Sequence, residues 1–496
     1  MINRMKKIAQ FLIILVLGLS MFSCKKFLEI KPQQALINDS AMTTVKDLYA
    51  VLNGAYDGLQ SNSVAGGDVS AFSDLMSDDF DVLPGRLNNF GTSEIYNGQT
   101  SVQIGALSEM WKQHYGVINR VNNVISVIDK NIIYGPEFDA VKDIYKGEAL
   151  FIRAYCNYNL LQMFALPYNV GTPGNNNQLG IVLRTEPTLN GPDGLSKARS
   201  TVEECYKSII DDLHESFTLL NKAGKSTSSD RVSAMASQAM LARVLFTMGN
   251  YTDAANAADY VIASNYYQLA NQNGADSTII LKSLIDPTNS AYMYNGKPEV
   301  IWQLVNTKDD NSGSLFGYYF PKYYMKVKNE LINSIDSLDD RIIKSSSGST
   351  VDASSVFVNP LKLGDWYVNK YRKRTGINYN NNIILLRLSE MYYIKAEAVA
   401  LVNGVNSDAL DAYNKMKLRN YGMGSYIPET TTDINDFLYK VRHERRIELM
   451  SENGDRYNQL KRLGLPLRDG TTNYAKYVFK IPQEEMASNT LIEQNP

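Results

Sequence analysis

From Ala239 to Ala258 the chain reads Ala-Met-Leu-Ala-Arg-Val-Leu-Phe-Thr-Met-Gly-Asn-Tyr-Thr-Asp-Ala-Ala-Asn-Ala-Ala, a stretch that few folds can accommodate. Small alanines recur where two helices would touch, and Gly249 falls at the turn between them, so the segment predicts a tight helical hairpin. A second instance runs from Ala396-Glu397-Ala398 through Gly404 to Ala409, Leu410 and Tyr413. One hairpin cannot bury its apolar face alone, whereas stacked hairpins share a continuous core. A chain of 496 residues is above the size at which single cores usually split, and a repeat-built body answers that difficulty.

Both hairpins are of tetratricopeptide type, and helical periodicity continues elsewhere. Val45, Leu48, Tyr49, Leu52 and Tyr56 line one face of a helix over residues 42–60. Ile104, Trp111, Tyr115, Ile118, Val121 and Ile125 mark another, and Tyr145 to Tyr155 its antiparallel mate. Thr201 followed by Glu204 is a capping box that opens a helix over 202–220. The fold class is therefore mainly α, an α-solenoid scaffold over about 41–60, 104–165, 200–265 and 383–462. Residues 66–100, 167–199 and 270–380 lose the helical period and gain Gly, Asn, Ser and aromatics. They read as long loops and an irregular, loop-rich α+β insertion, where ligand surfaces are commonly built. Trp302 lies in an apolar run and Trp111 on a helix face, which assigns both to the core.

The N-terminus carries a different message. Arg4, Lys6 and Lys7 precede an apolar run from Ile8 to Leu19, and Ser23 stands before Cys24. This order is an export signal over residues 1–23, with Cys24 the lipidated first residue of the mature protein and 24–40 a tether. The run is too short to span a bilayer, and no later uninterrupted apolar stretch approaches the roughly 20 residues of a membrane helix. Met21 and Phe22 are bulkier than usual before such a cysteine.

The chain has 50 basic and 52 acidic side chains, and three of the basic ones leave with the signal, which argues against a nucleic-acid partner. Cys156 and Cys205 read as buried free thiols rather than a disulfide framework. His114, His214 and His443 lie far apart and outside any HExxH pattern, and neither a Gly-rich phosphate loop nor a Gly-x-Ser-x-Gly elbow occurs. A paired-carboxylate glycosidase leaves no local motif and stays open as an alternative, as does an interaction scaffold without small ligand. Ser77-Asp78-Asp79-Phe80-Asp81 is a solvated acidic loop, with calcium a possibility although the EF-hand spacing is incomplete. In Arg442-His443-Glu444-Arg445-Arg446-Ile447-Glu448, Arg445 and Glu448 can pair, while Glu444 and Glu448 repel unless arginines bridge them. That cluster reads as structural, not catalytic.

The start Cys24-Lys25-Lys26-Phe27-Leu28-Glu29 resembles that of the SusD/RagB family of outer-membrane nutrient-binding lipoproteins. Gly147 to Ala154, Leu385 to Glu390, Ala396-Glu397-Ala398, His443 to Leu449, Asn453 to Tyr457, Lys480-Ile481-Pro482 and Gln494-Asn495-Pro496 are similar to that family too, in the same order. The resemblance implies one SusD-like domain over 41–496, held to the outer membrane through Cys24 and facing outward. It also implies a SusC-like TonB-dependent transporter as partner, over which the protein sits as a non-catalytic lid. The expected ligand is a glycan, or a peptide as in RagB-like relatives, and no cofactor is implied. No family motif locates the ligand residues. Sugar rings stack on aromatic faces, so Trp366, Tyr367, Tyr323, Tyr324 and Phe90 are the candidates from the irregular regions.

Overall fold

A computed structural model describes residues 42–82, 91–170, 174–188, 194, 196–271, 280, 296–307, 310, 319, 325–342, 356–358, 365–371, 382–473, 476 and 478–496. In chain order its elements begin with α1 (Val45–Gln60), α2 (Asp68–Met76), β1 (Phe80–Val82), α3 (Thr92–Tyr96), α4 (Gly105–Asp129) and α5 (Pro136–Phe164). Then come α6 (Val202–Lys222), α7 (Ala234–Met248), α8 (Tyr251–Ala263), β2 (Val300–Leu304), β3 (Met325–Val327), α9 (Asn329–Ser334), β4 (Phe357–Val358) and β5 (Tyr367–Val368). The chain closes with β6 (Ile383–Arg387), α10 (Leu388–Asn403), α11 (Ser407–Ser425), α12 (Ile434–Glu448), α13 (Asp455–Leu463) and α14 (Gln483–Ser488).

The long helices stack in sequence order: α1 on α4, α4 on α5, α5 on α6, α6 on α7, α7 on α8, α8 on α10 and α10 on α11. This is the hairpin solenoid that the alanine-rich stretches predict. Ala239, Ala242, Ala254 and Ala258 are wholly buried, and Gly249 takes the left-handed conformation (φ +80°) that closes the α7–α8 hairpin. Gly147 serves close approach instead, since a Cβ there would lie 2.7 Å from Leu220 on α6. The predicted capping box opens α6: Thr201 Oγ1 accepts from the Glu204 N–H at 3.1 Å, and the Glu204 carboxylate accepts from the Thr201 N–H at 2.8 Å. Trp302 and Trp111 are core residues. Trp302 is fully buried, edge-on to Phe151 and Tyr155.

The expected loop over 66–100 needs correction. Its described part contains helix α2, whose Val69, Phe72, Leu75 and Met76 face the core. Asp68, Ser73 and Asp74 are buried too, so polarity there does not signal exposure. Three antiparallel two-stranded pairs form among the described residues, β1 with β3, β2 with β6 and β4 with β5, of which only β4–β5 lies wholly within 270–380.

A buried ionic cluster fastens this irregular part to the helices. Arg341 bridges Glu444 and Glu448, bonding the latter at 3.0 Å, and also holds Asp339 at 2.6 Å. Arg387 and Arg419 converge on the other Glu448 oxygen and both bond Glu299, at 3.0 and 2.9 Å. Lys370 bonds Glu452 at 2.6 Å. Burial alone would raise the Glu448 carboxyl, but Arg419, Arg387 and Arg341 override it and hold it well below the usual carboxylate range. The arginine bridge that the Glu444–Glu448 spacing demands is thus present. The expected Arg445–Glu448 pair is not: Arg445 turns to Asp455 at 2.6 Å, leaving Glu448 to three guanidiniums from other elements.

Candidate functional site

The irregular region is organised around β3. Phe80 pairs with Val327, Asp81 with Lys326 and Val82 with Met325, while the Val327 N–H donates to the Trp366 carbonyl at 2.8 Å. Trp366, at the entry to β5, is half-buried against the core. Beside it Lys326 bonds Asp365 at 3.1 Å, each side chain 27% exposed. Because Trp366 pairs with Val327, its indole lies on the Phe80–Val327 side of the short sheet, while Lys326, Asp365 and Asp81 lie on the opposite side. A partly exposed aromatic plane of this kind can stack on a sugar ring.

Tyr367, by contrast, is 2% exposed. Neighbouring strand residues point to opposite faces, so Trp366 and Tyr367 cannot both meet a ligand, and Tyr367 packs inward. Tyr323, Tyr324, Phe90 and Cys24 lie outside the described residues. Lys326, Asp365 and Asp81 are the neighbours that sequence reasoning did not select. Only strand pairing brings them together, and the alternation in Asp81-Val82 and Met325-Lys326-Val327 is too short to stand out.

The acidic run at 77–81 is not a solvated loop, which corrects the reading of those carboxylates. Asp78 receives a two-pronged bond from Arg456 at 2.7 Å on each oxygen, and Arg446 bonds Asp79. Burial drives the Asp79 carboxyl up despite Arg446 and Arg456; the more open Asp78, bonded by Arg456, is held below its ordinary value. No cluster of three or more His, Cys, Asp or Glu suited to a metal occurs among the described residues.

Other titratable groups are structural in setting. Asp74, buried and hydrogen-bonded by the Tyr319 hydroxyl at 2.6 Å, is pushed up to about 8 by burial. Cys156 and Cys205 are buried free thiols, as expected, and burial raises Cys205 to about 12. No helix among the described residues is long and apolar enough to cross a membrane.

Comparison with known proteins bears on the whole chain. Residues 26–246 match the SusD-like family described as starch-binding and associating with outer membrane, and residues 357–468 match the SusD family. SusD-like protein P2 of Formosa agariphila is 25% identical, with 97% of this chain and 98% of that protein covered. A putative sugar binding protein of Bacteroides vulgatus superposes with a TM-score of 0.75 at 25% identity, covering 92% of this chain and 99% of that one. A SusD superfamily protein of Bacteroides thetaiotaomicron gives 0.73 at 23% identity, covering 91% and 100%. The chain, with its stacked helical hairpins and its ion-clamped irregular region, belongs to the SusD/RagB family.

Proposed function

We propose that this protein captures a glycan at the outer face of the outer membrane and passes it, chemically unchanged, to a SusC-like TonB-dependent transporter that it covers as a lid. The observation that carries the reading is the near full-length likeness to a protein described as sugar binding. A partly exposed Trp366 in the irregular region supports it, as an aromatic plane on which a sugar ring could stack. Lipidation of Cys24 is the anchor, and binding without catalysis is the activity.

The described acid clusters hold structure together rather than offering free carboxylates. The Asp78–Asp79 carboxylates are occupied by Arg446 and Arg456, and Glu444 and Glu448 by Arg341, Arg387 and Arg419. An acid locked in guanidinium pairs is ill placed to shuttle a proton. The test is affinity purification of the tagged lipoprotein from native outer membranes. A TonB-dependent barrel should co-purify, and deletion of the lipoprotein should abolish uptake of a labelled oligosaccharide. Purification without a barrel, together with undiminished uptake after deletion, would contradict the proposal.

A further inference from the structure

A second cleft, sharing no residue with the Trp366 face, encloses roughly 500 Å³ between the first turns of α4, residues 182–184 and α14. That volume falls within the range of small-molecule sites. Two hydrogen bonds fix its walls: Ser108 Oγ donates to Glu484 at 2.7 Å and the Trp111 indole N–H to Glu485 at 3.2 Å. The polar tips of the aromatic lining are turned into the protein. Tyr115 Oη donates to the Val182 carbonyl at 2.9 Å, and Trp111 is occupied by Glu485. The cleft therefore meets the ring carbons of the half-buried Tyr115, whose centroid lies 5.0 Å from that of Trp111, a core residue only 4% exposed.

The rim is of opposite character. Glu109 and Glu484 supply acceptors, and Lys112 and Arg184 supply donors. Lys112 and Glu109 are 3.9 Å apart, with side chains 75% and 47% exposed, so Lys112 can turn to a ligand with little loss of an existing bond, while Glu109 also accepts from the Gln113 amide. An anionic ligand would face Glu109, Glu484 and Glu485, a cationic one Lys112 and Arg184, and an apolar one would strand the whole rim. A neutral polyhydroxylated ring avoids all three penalties. Its C–H face suits the aromatic carbons, and its hydroxyls both donate and accept.

From this geometry we infer that the α4–α14 cleft is a second binding site, for a short neutral oligosaccharide, independent of the Trp366 face. It goes beyond the proposed capture role, which needs only one site. Gly105 supplies the probe: it lines the cleft, a Cβ there meets no atom within 4 Å, and its φ lies outside the left-handed region, so Gly105→Tyr adds bulk at the cleft wall with no clash at the Cβ. Calorimetric titration of the mature chain and its Gly105→Tyr, Lys112→Ala and Trp366→Ala variants with neutral, anionic and cationic oligosaccharides is the experiment, with melting curves to certify folding.

The expected result is a neutral-sugar binding event weakened at least tenfold by Gly105→Tyr, weakened less by Lys112→Ala and retained in Trp366→Ala. Neutral-sugar binding that both cleft variants leave within twofold of wild type overturns the cleft site, and its loss in Trp366→Ala then supports the Trp366 face. A cleft event with a strong preference for anionic or cationic sugars overturns the assigned ligand class. Silence of the wild-type chain towards every sugar overturns both sites together.

Discussion

The hairpin stack and the irregular region are held by different forces. In the stack, successive long helices pack on one another through alanines and through glycines such as Gly147, so the contacts are mainly apolar, with isolated buried pairs such as Arg153–Asp212 between α5 and α6 and Arg243–Glu390 between α7 and α10. In the irregular region the strands are two to five residues long, and anchoring falls to the buried cluster of Arg341, Arg387, Arg419, Lys370, Glu299, Glu444, Glu448 and Glu452. Short strand pairs are marginal by themselves. The difference teaches that apolar repetition dominates the scaffold, while a convergent ionic cluster fixes where the irregular region sits on it. Buried ion pairs are poor generators of net stability, yet removing one partner strands the others in a low dielectric.

The largest expected effect tests that division. Glu448→Ala leaves parts of three buried guanidiniums uncompensated and should cost about 3–5 kcal/mol in chemical denaturation. Hydrogen exchange should then rise first at β2, β6 and residues 339–342; a uniform rise across α5–α8 would break the comparison. On the scaffold side, Gly147→Val drives side-chain atoms into Leu220 and should cost about 1–3 kcal/mol, read as an earlier denaturation midpoint. A neutral result would mean that α5 and α6 separate freely.

Acid–base behaviour sharpens the comparison further. Asp74, at about 8 in the fold against an ordinary value of 3.8, binds a proton in the folded state that the unfolded chain has released. Its contribution is therefore complete below the unfolded value and lost as pH rises toward 8, at about 1.4 kcal/mol per pH unit within that window. Asp74→Asn should remove that slope and make the protein more stable than wild type at pH 8; an unchanged slope between pH 5 and 8 would assign it elsewhere. Glu448 and Glu452, both depressed, act in the opposite sense, and their stabilisation should fade as acid protonates them. Smaller still, Thr201→Ala removes the α6 cap and should cost about 1 kcal/mol, visible as a lowered melting temperature.

What the sequence made legible follows the same division. The α7–α8 and α10–α11 hairpins, the Thr201 cap and the core role of Trp302 depend on residues close in sequence, whose periodicity is visible without coordinates. Helix α2 was hidden because Asp68, Ser73 and Asp74 are buried polar residues within it. The ionic cluster was half legible. Spacing in 442–448 called for bridging arginines, but Arg341, Arg387 and Arg419 come from three other parts of the chain. Tyr367 was chosen beside Trp366 for its aromaticity, and strand alternation separates the two. Lys326 and Asp81 meet only through β1–β3 pairing across more than two hundred residues, which no local pattern announces.

Calorimetric titration of wild type and Trp366→Ala against oligosaccharides and short peptides tests the central claim, that the irregular region carries the ligand and the hairpins carry the region. The account predicts a saturable glycan-binding event, separate from the one that Gly105→Tyr weakens, that Trp366→Ala weakens about tenfold or more, with the melting temperature shifted by only a few degrees because the indole is half-buried. The absence of any glycan-binding event that depends on Trp366, or binding of peptides alone, would contradict it.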